Sequence, residues 1–159
     1  MNMYNQVIQL LEEADIPYSQ YEHEPILNYD TDRKIRERFN LEGVPSKSLF
    51  LKDKSGNNYV LVTIEGEKLD SKLMKELTGK RISICSEEEL IEKTSCVPGC
   101  VAPFGYQEEI TLVIDRKIYN YNKFLLSPGV PELTIEIHTK DIDKILDIVK
   151  NSILFYEKK

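Results

Sequence analysis

The residue whose placement most suggests chemistry is Lys47, in the stretch Ser46-Lys47-Ser48-Leu49-Phe50-Leu51-Lys52-Asp53. The pattern is that of a β-strand, in which side chains alternate between faces, so Lys47 shares a face with Leu49 and Leu51. An ammonium on an apolar strand face is costly unless it finds a partner or reaches a cavity. It can snorkel out at the strand end or face a pocket, and the pocket is the preferred expectation. A second feature is the uncharged run Cys96-Val97-Pro98-Gly99-Cys100-Val101-Ala102-Pro103-Phe104-Gly105-Tyr106, set between Glu87-Glu88-Glu89 and Glu108-Glu109. Its glycines permit positive φ and close approach of a ligand, while its prolines fix φ. It reads as a rigid, half-buried loop, and composition alone leaves a pocket wall and a buried connector equally open. Leu125-Leu126-Ser127-Pro128-Gly129-Val130-Pro131 is a second loop of the same kind.

Other chemistries have weaker support. Cys96 and Cys100 are separated by three residues, with Cys85 upstream, but a structural zinc site wants four ligands in closely spaced pairs. The fourth would have to be one of the two histidines, His23 or His138, both remote in sequence. Small core residues explain these cysteines better. A cysteine nucleophile needs a base within reach, and no spacing supplies one. There is no G-x-S-x-G elbow, no phosphate loop and no dinucleotide fingerprint. His23, in Glu22-His23-Glu24-Pro25, reads first as a hydrogen-bonding residue at a strand end and second as a pocket residue.

The elements that would position these residues are interleaved helices and strands. Tyr4, Val7, Ile8, Leu11 and Ala14 recur at helical spacing over 3–14, and Asp15-Ile16-Pro17 stops that helix. A strand over 18–23 follows. Asp30 or Thr31 would cap a helix holding Ile35 and Phe39, whose other faces carry Arg33, Lys34, Arg36 and Arg38. That cluster is either a solvated face or a phosphate-contacting one. Gly43-Val44-Pro45 reads as a turn, and Lys54-Ser55-Gly56-Asn57-Asn58 as the turn joining the lysine strand to the near-continuously apolar Tyr59–Ile64, a central strand. Asp70 or Ser71 starts a helix ended by Gly79. Ile82–Cys85 is a short strand, and Ser86 with Glu89 forms a capping box. Ile110–Leu126 is expected to be a hairpin turning at Arg116-Lys117. Leu133, Ile135 and Ile137 alternate as a one-face-buried strand. Thr139 should cap the last helix, with Ile142, Ile145, Leu146 and Val149 inward. Ile153–Tyr156 packs back, and Glu157–Lys159 should fray.

These elements imply an α/β (α+β) fold with a mixed, mostly antiparallel central sheet surrounded by helices. With 159 residues and no linker or repeat, a single domain over 1–159 is expected. Hydrophobic content of 41% and charged content of 30% suit a globular protein. No apolar run approaches the roughly 20 residues of a membrane span, and Met1–Gln6 lacks the features of a signal peptide. An odd three cysteines argue against a disulfide framework, so the expected location is the cytoplasm. A net charge of −6 argues against a broad nucleic-acid surface, although it leaves room for a local basic patch. The residues alone thus describe a small-molecule pocket beside a possible RNA contact.

Glu22-His23-Glu24-Pro25, Ser46–Gly56 and Pro98-Gly99-Cys100-Val101-Ala102-Pro103-Phe104-Gly105 occur in the order and spacing of one family. The chain resembles the YbaK / prolyl-tRNA synthetase-associated editing domain over nearly its whole length. Ser127-Pro128-Gly129 and the Leu133–Ile142 strand-to-helix unit also fit. Two positions depart from the family pattern: Ser127-Pro128-Gly129 replaces the histidine-proline-leucine of many alanine-specific members, and Ser48 replaces a common asparagine. The resemblance implies a YbaK-like fold and hydrolysis of the ester joining alanine, or second cysteine, to proline tRNA, with no metal or other cofactor. The acceptor end of mischarged proline tRNA is the implied partner, together with prolyl-tRNA synthetase, and neither membrane nor DNA is implied. It assigns the essential lysine to Lys47 and the pocket loop to Gly99–Gly105. Gly99, Cys100 and Val101 then join Lys47 as catalytic candidates. His23, Leu49, Ala102, Pro103, Phe104, Gly105, Ser127, Pro128 and Gly129 are the substrate-binding candidates, and Arg33, Arg36, Lys52 and Lys54 the tRNA contacts. A catalytically inactive tRNA- or amino-acid-binding module of the same fold is the alternative.

Overall fold

The structure is a computed structural model describing residues 2–158. In chain order its elements are α1 Met3–Glu13, β1 Ser19–Glu22, α2 Tyr29–Arg38, β2 Val44–Lys52, β3 Asn58–Ile64, α3 Ser71–Thr78 and β4 Ser83–Ile84. There follow α4 Glu87–Thr94, β5 Thr111–Asp115, β6 Lys123–Leu126, β7 Leu133–His138, α5 Ile142–Ile148 and β8 Ile153–Tyr156. The strands form one sheet in the order β1-β7-β6-β2-β3-β5-β8, with β4 added to β2. Four pairings are antiparallel, β1–β7, β2–β3, β2–β4 and β6–β7, and three are parallel, β2–β6, β3–β5 and β5–β8. The expected mixed sheet with a small antiparallel majority is thus observed.

The central strands are buried on both faces, which is why Tyr59–Ile64 is apolar almost throughout. Phe50, Val60, Val62, Ile64, Leu112 and Ile114 face one core with α1, α4 and α5. Leu51, Tyr59, Leu61 and Val113 face the other, against Met74 of α3 and Tyr156 of β8, with Leu49 at its margin. Lys47, two residues before Leu49, lies on this second face, whereas Ser48 lies on the first.

Local chemistry sets the helix ends. Asp70 caps α3 by accepting from Leu73 N, and Gly79 closes it. Ser86 and Glu89 form the reciprocal capping box of α4.

Several expectations are corrected. Ile110–Leu126 is not a hairpin. Arg116–Asn120 forms a 3₁₀ turn held by the Asp115 carboxylate accepting from Lys117 N. β5 therefore stays beside β3 while β6 crosses to β2. Alternating apolar residues prescribe a strand but not its partner. Val44 and Pro45 are not a turn: they open β2 and pair in parallel with Phe124 and Leu125, and a proline is tolerated there because it is at the strand's start. The cap of α2 is Asn28, not Asp30 or Thr31. Thr139 makes no side-chain cap, and instead a 3₁₀ turn, Thr139–Asp141, leads into α5. The C-terminal stretch is engaged where it was expected to fray. Glu157 pairs with Arg116 and Lys158 with Glu67. Lys159 lies outside the described residues.

Candidate active site

β2 and β6 pair only at Val44–Phe124 and Pro45–Leu125, and then diverge. β4 takes up the same edge of β2 again at Leu51 and Lys52. Between these contacts the edge of β2 is open, and a cleft of about 510 Å³ occupies the gap. That volume is typical of a small-molecule site. Its walls are Pro45–Phe50 of β2, the Glu65-Gly66 turn after β3, Pro98–Val101, Leu125–Ser127, Val130, Pro131, Leu133 and Thr134, closed at the sides by Ile84–Glu87, Ile26 and Asp32.

The antiparallel alternation fixes what this edge offers. Glu65 N donates to Pro45 O and Cys85 N donates to Phe50 O. Odd-numbered residues of β2 therefore direct their amide groups at β3, and even-numbered ones away from it. The Ser48 N–H and C=O point to the open edge. The Ser48 hydroxyl is buried without a hydrogen-bond partner.

Lys47 lines the cleft, and its ammonium donates to Glu67 O at 2.5 Å. One of its three N–H bonds is thereby engaged, which orients the side chain and leaves two for a ligand. Gly99, which also lines the cleft, has φ +86, the left-handed region a glycine enters without strain. The Cys100 amide is committed to Val97 O at 2.8 Å, whereas no protein partner is found for the Gly99 and Val101 amides among the described residues. The two loops are tied together: Val97 N donates to Gly129 O at 3.0 Å, and Ser127 Oγ to Cys100 O at 3.3 Å. Burial pushes the Cys100 and Cys85 thiols above their ordinary value, against a thiolate role near neutral pH.

Of the residues expected at the site, Lys47, Leu49, Gly99, Cys100, Val101 and Ser127 line the cleft. The others stand behind it. Ala102 and Phe104 are core residues, and Pro103 is buried beside them. A Cβ on Gly105 would come within 3.2 Å of Met3 and Val7, and one on Gly129 within 3.0 Å of Met3. Pro128, next to Gly129, is also buried. These two glycines allow α1 to press against the back of both loops. His23 is one layer out. Its Nδ1–H donates to Glu24 O at 2.8 Å, so Nε2 accepts from Thr134 Oγ1 at 2.8 Å, and Thr134 lines the cleft.

The expected tRNA contacts are mostly occupied. Arg36 lies 3.1 Å from Asp32 and 3.6 Å from Glu65, and Lys52 is 2.8 Å from Glu89. Arg33 has a 4.0 Å exposed pair with Asp30, and Lys54 stands exposed in the β2–β3 turn. Cleft residues absent from the expected set include Ser48, Asp32, Glu65 and Thr134. Ser48 was accessible through its position beside Lys47. The acidic pair had no local signal, because its role comes from the fold bringing α2 to the end of β3. Among the described residues no three His, Cys, Asp or Glu side chains group as metal ligands would. No helix among them is long and apolar enough to cross a membrane.

The model of the aminoacyl-tRNA editing domain matches residues 37–145. The chain belongs to the aminoacyl-tRNA editing domain family. The prolyl-tRNA editing protein ProX of Acetoanaerobium sticklandii is 28% identical over 92% of each chain. The multifunctional Ser/Thr-tRNA deacylase ProXp-y of Escherichia coli K12 is 23% identical, over 89% of this chain and 87% of that one. Among solved structures, a hypothetical protein superposes with TM-score 0.78 at 20% identity, covering 95% of this chain and 98% of that one. A candidate trans-editing enzyme for prolyl tRNA synthetase superposes with TM-score 0.77 at 17% identity, over 100% and 99%. These two likenesses concern the fold, and the YbaK-like architecture is the one expected. Membership agrees with the reading of the sequence as an aminoacyl-tRNA-editing hydrolase and disfavours an inactive binding module.

Proposed function

We propose that this editing-domain protein hydrolyses the ester between a small amino acid and the 3′ end of proline tRNA, with alanine the first substrate and cysteine the second. The observation that carries the reading is the meeting of Lys47 with two unengaged backbone amides, of Gly99 and Val101, around one cleft at an open strand edge. The relative named a prolyl-tRNA editing protein supports the choice of tRNA. A synthetase that accepts proline discriminates poorly against amino acids no larger than it, because a missing methylene is worth only about 1–3 kcal/mol. A second, smaller sieve answers that limit.

In this mechanism the Lys47 ammonium holds the ester carbonyl or the terminal nucleotide with its two remaining N–H bonds. The Gly99 and Val101 amides donate to the oxygen that becomes negative as the carbonyl turns tetrahedral. Water is the nucleophile, positioned by the substrate's own 2′-hydroxyl, since the cleft lacks a histidine. Lys54 and Arg33 contact phosphate, and prolyl-tRNA synthetase supplies the mischarged tRNA.

A second reading has its own support. The unpartnered Ser48 hydroxyl and the relative named a Ser/Thr-tRNA deacylase favour a side chain that itself hydrogen-bonds. Deacylation of proline tRNA charged with alanine or cysteine, and of the cognate tRNAs charged with serine or threonine, separates the two. Alanine and cysteine esters should turn over fastest, and Lys47→Ala should abolish hydrolysis while the fold persists by circular dichroism. Near-wild-type activity in Lys47→Ala would remove Lys47 from the mechanism. Faster turnover of the serine and threonine esters would install the second reading.

A further inference from the structure

Lys47 is oriented by a backbone carbonyl, and that carbonyl belongs to a residue whose side chain is held from two directions. Glu67 follows the Glu65-Gly66 turn at the end of β3, and its N–H donates to Ile64 O. Its carboxylate accepts from Lys117 Nζ, in the 3₁₀ turn after β5, and lies 3.7 Å from Lys158 Nζ, just past β8. Lys158 also donates to Lys68 O at 2.9 Å. The Glu67 side chain is only 17% exposed, and the Lys117 ammonium beside it holds its carboxyl below the ordinary value. Glu67 does not line the cleft, although Glu65 and Gly66 before it do.

We propose that Glu67 is a positioning residue for the editing reaction: the Lys117 and Lys158 clamp on its carboxylate fixes the turn whose carbonyl aims the Lys47 ammonium into the cleft. The inference rests on the role given to Lys47 above. A lone turn following a glycine with φ +89 has few contacts of its own to hold a carbonyl still, and two lysines from separate elements supply them. Lys47 is the fourth of the nine residues of β2 and lines the cleft, where an unanchored side chain would sweep among rotamers and lose alignment with the ester. Misplacement of a catalytic group by about 1 Å can cost up to a hundredfold in rate.

The test compares steady-state deacylation by Glu67→Ala, Lys117→Met, Lys117→Arg and Lys47→Arg, with the double variant Glu67→Ala/Lys47→Arg. Glu67→Ala and Lys117→Met should each lower kcat/KM by about tenfold to a hundredfold. The loss should fall in the same parameter, kcat or KM, that Lys47→Arg changes. Lys117→Arg should restore most of what Lys117→Met loses. The double variant should be little worse than the poorer single one, because both changes spoil a single interaction. If Glu67→Ala proves unfolded, the comparison of Lys117→Met with Lys117→Arg decides the same question. Retention of wild-type kcat/KM in Glu67→Ala and Lys117→Met, with Lys47→Ala inactive, overturns the positioning role and leaves the function intact. Multiplying losses in the double variant also overturn it. An active Lys47→Ala instead removes the premise.

Discussion

Ser48 forms part of the wall of the cleft. Beside Lys47 in the chain, it faces the other side of the sheet, and its hydroxyl is buried with no partner. A buried unsatisfied polar group costs about 1–3 kcal/mol. Removing it should therefore help folding: Ser48→Ala is expected to raise stability by about 1 kcal/mol in urea denaturation. The same substitution should lower deacylation if the hydroxyl is kept for a substrate, and a variant both less stable and fully active would contradict that idea. Lys47 itself was legible because a charge on an apolar strand face is an anomaly visible without coordinates. What the sequence could not provide was the partner. Glu67 O lies twenty residues on and is a backbone atom, so no side-chain pattern reports it. The cysteines drew attention as reactive residues, yet burial raises the Cys100 thiol, and Cys96 is a core residue against Tyr106.

Among the elements, the two breaker-rich loops were recognisable by composition, but which of their residues face the cleft was not. That division is set by α1, whose Met3 and Val7 occupy the space that Gly105 and Gly129 leave open. Gly129→Ala should overpack this contact and cost about 1–3 kcal/mol, shifting the Ser127–Val130 wall and lowering activity. A Tm and activity both unchanged would show that the loop yields freely. The capping box of α4 was legible because both partners are local. Its link to Lys52 was not, and it makes the helix sensitive to acid. The Lys52 ammonium, then the Ser86 N–H, hold the Glu89 carboxyl down to about 2 from 4.5. A depressed carboxyl contributes stability that is full above its ordinary value and is lost as pH falls towards the folded one. Amide protection in α4 should thus weaken between about pH 4.5 and 2. Glu89→Gln should flatten that pH dependence, and an unchanged profile would relieve Glu89 of the role.

The fold class and most elements could be read from periodicity and turn chemistry, while the strand order could not. The order matters because the cleft is a product of it. β2 is shared by two groups of strands, and the site is the stretch of its edge that neither β6 nor β4 covers. Electrostatics follows the same logic. The acidic balance was plain in the composition, but the fate of individual cations depends on partners far along the chain. Arg38 binds Glu24 through two hydrogen bonds of 2.9 and 2.6 Å, Arg36 reaches Glu65, and Lys52 reaches Glu89. The basic face of α2 is consequently largely compensated, and of its four basic residues Lys34 alone makes no ion pair among the described residues. Each phosphate neutralised on a single strand contributes about −0.7 to the slope of log K against log salt, and on a duplex about −0.9. With Lys47, Lys54 and Arg33 as the contacts, log kcat/KM should fall with log salt at a slope of about −2 to −2.7. A slope steeper than about −4 would require a phosphate-tracking surface that this charge arrangement does not supply. Recognition would then rest on the duplex, whereas the open edge of β2, Lys47 and the two loops are arranged around a single chain end.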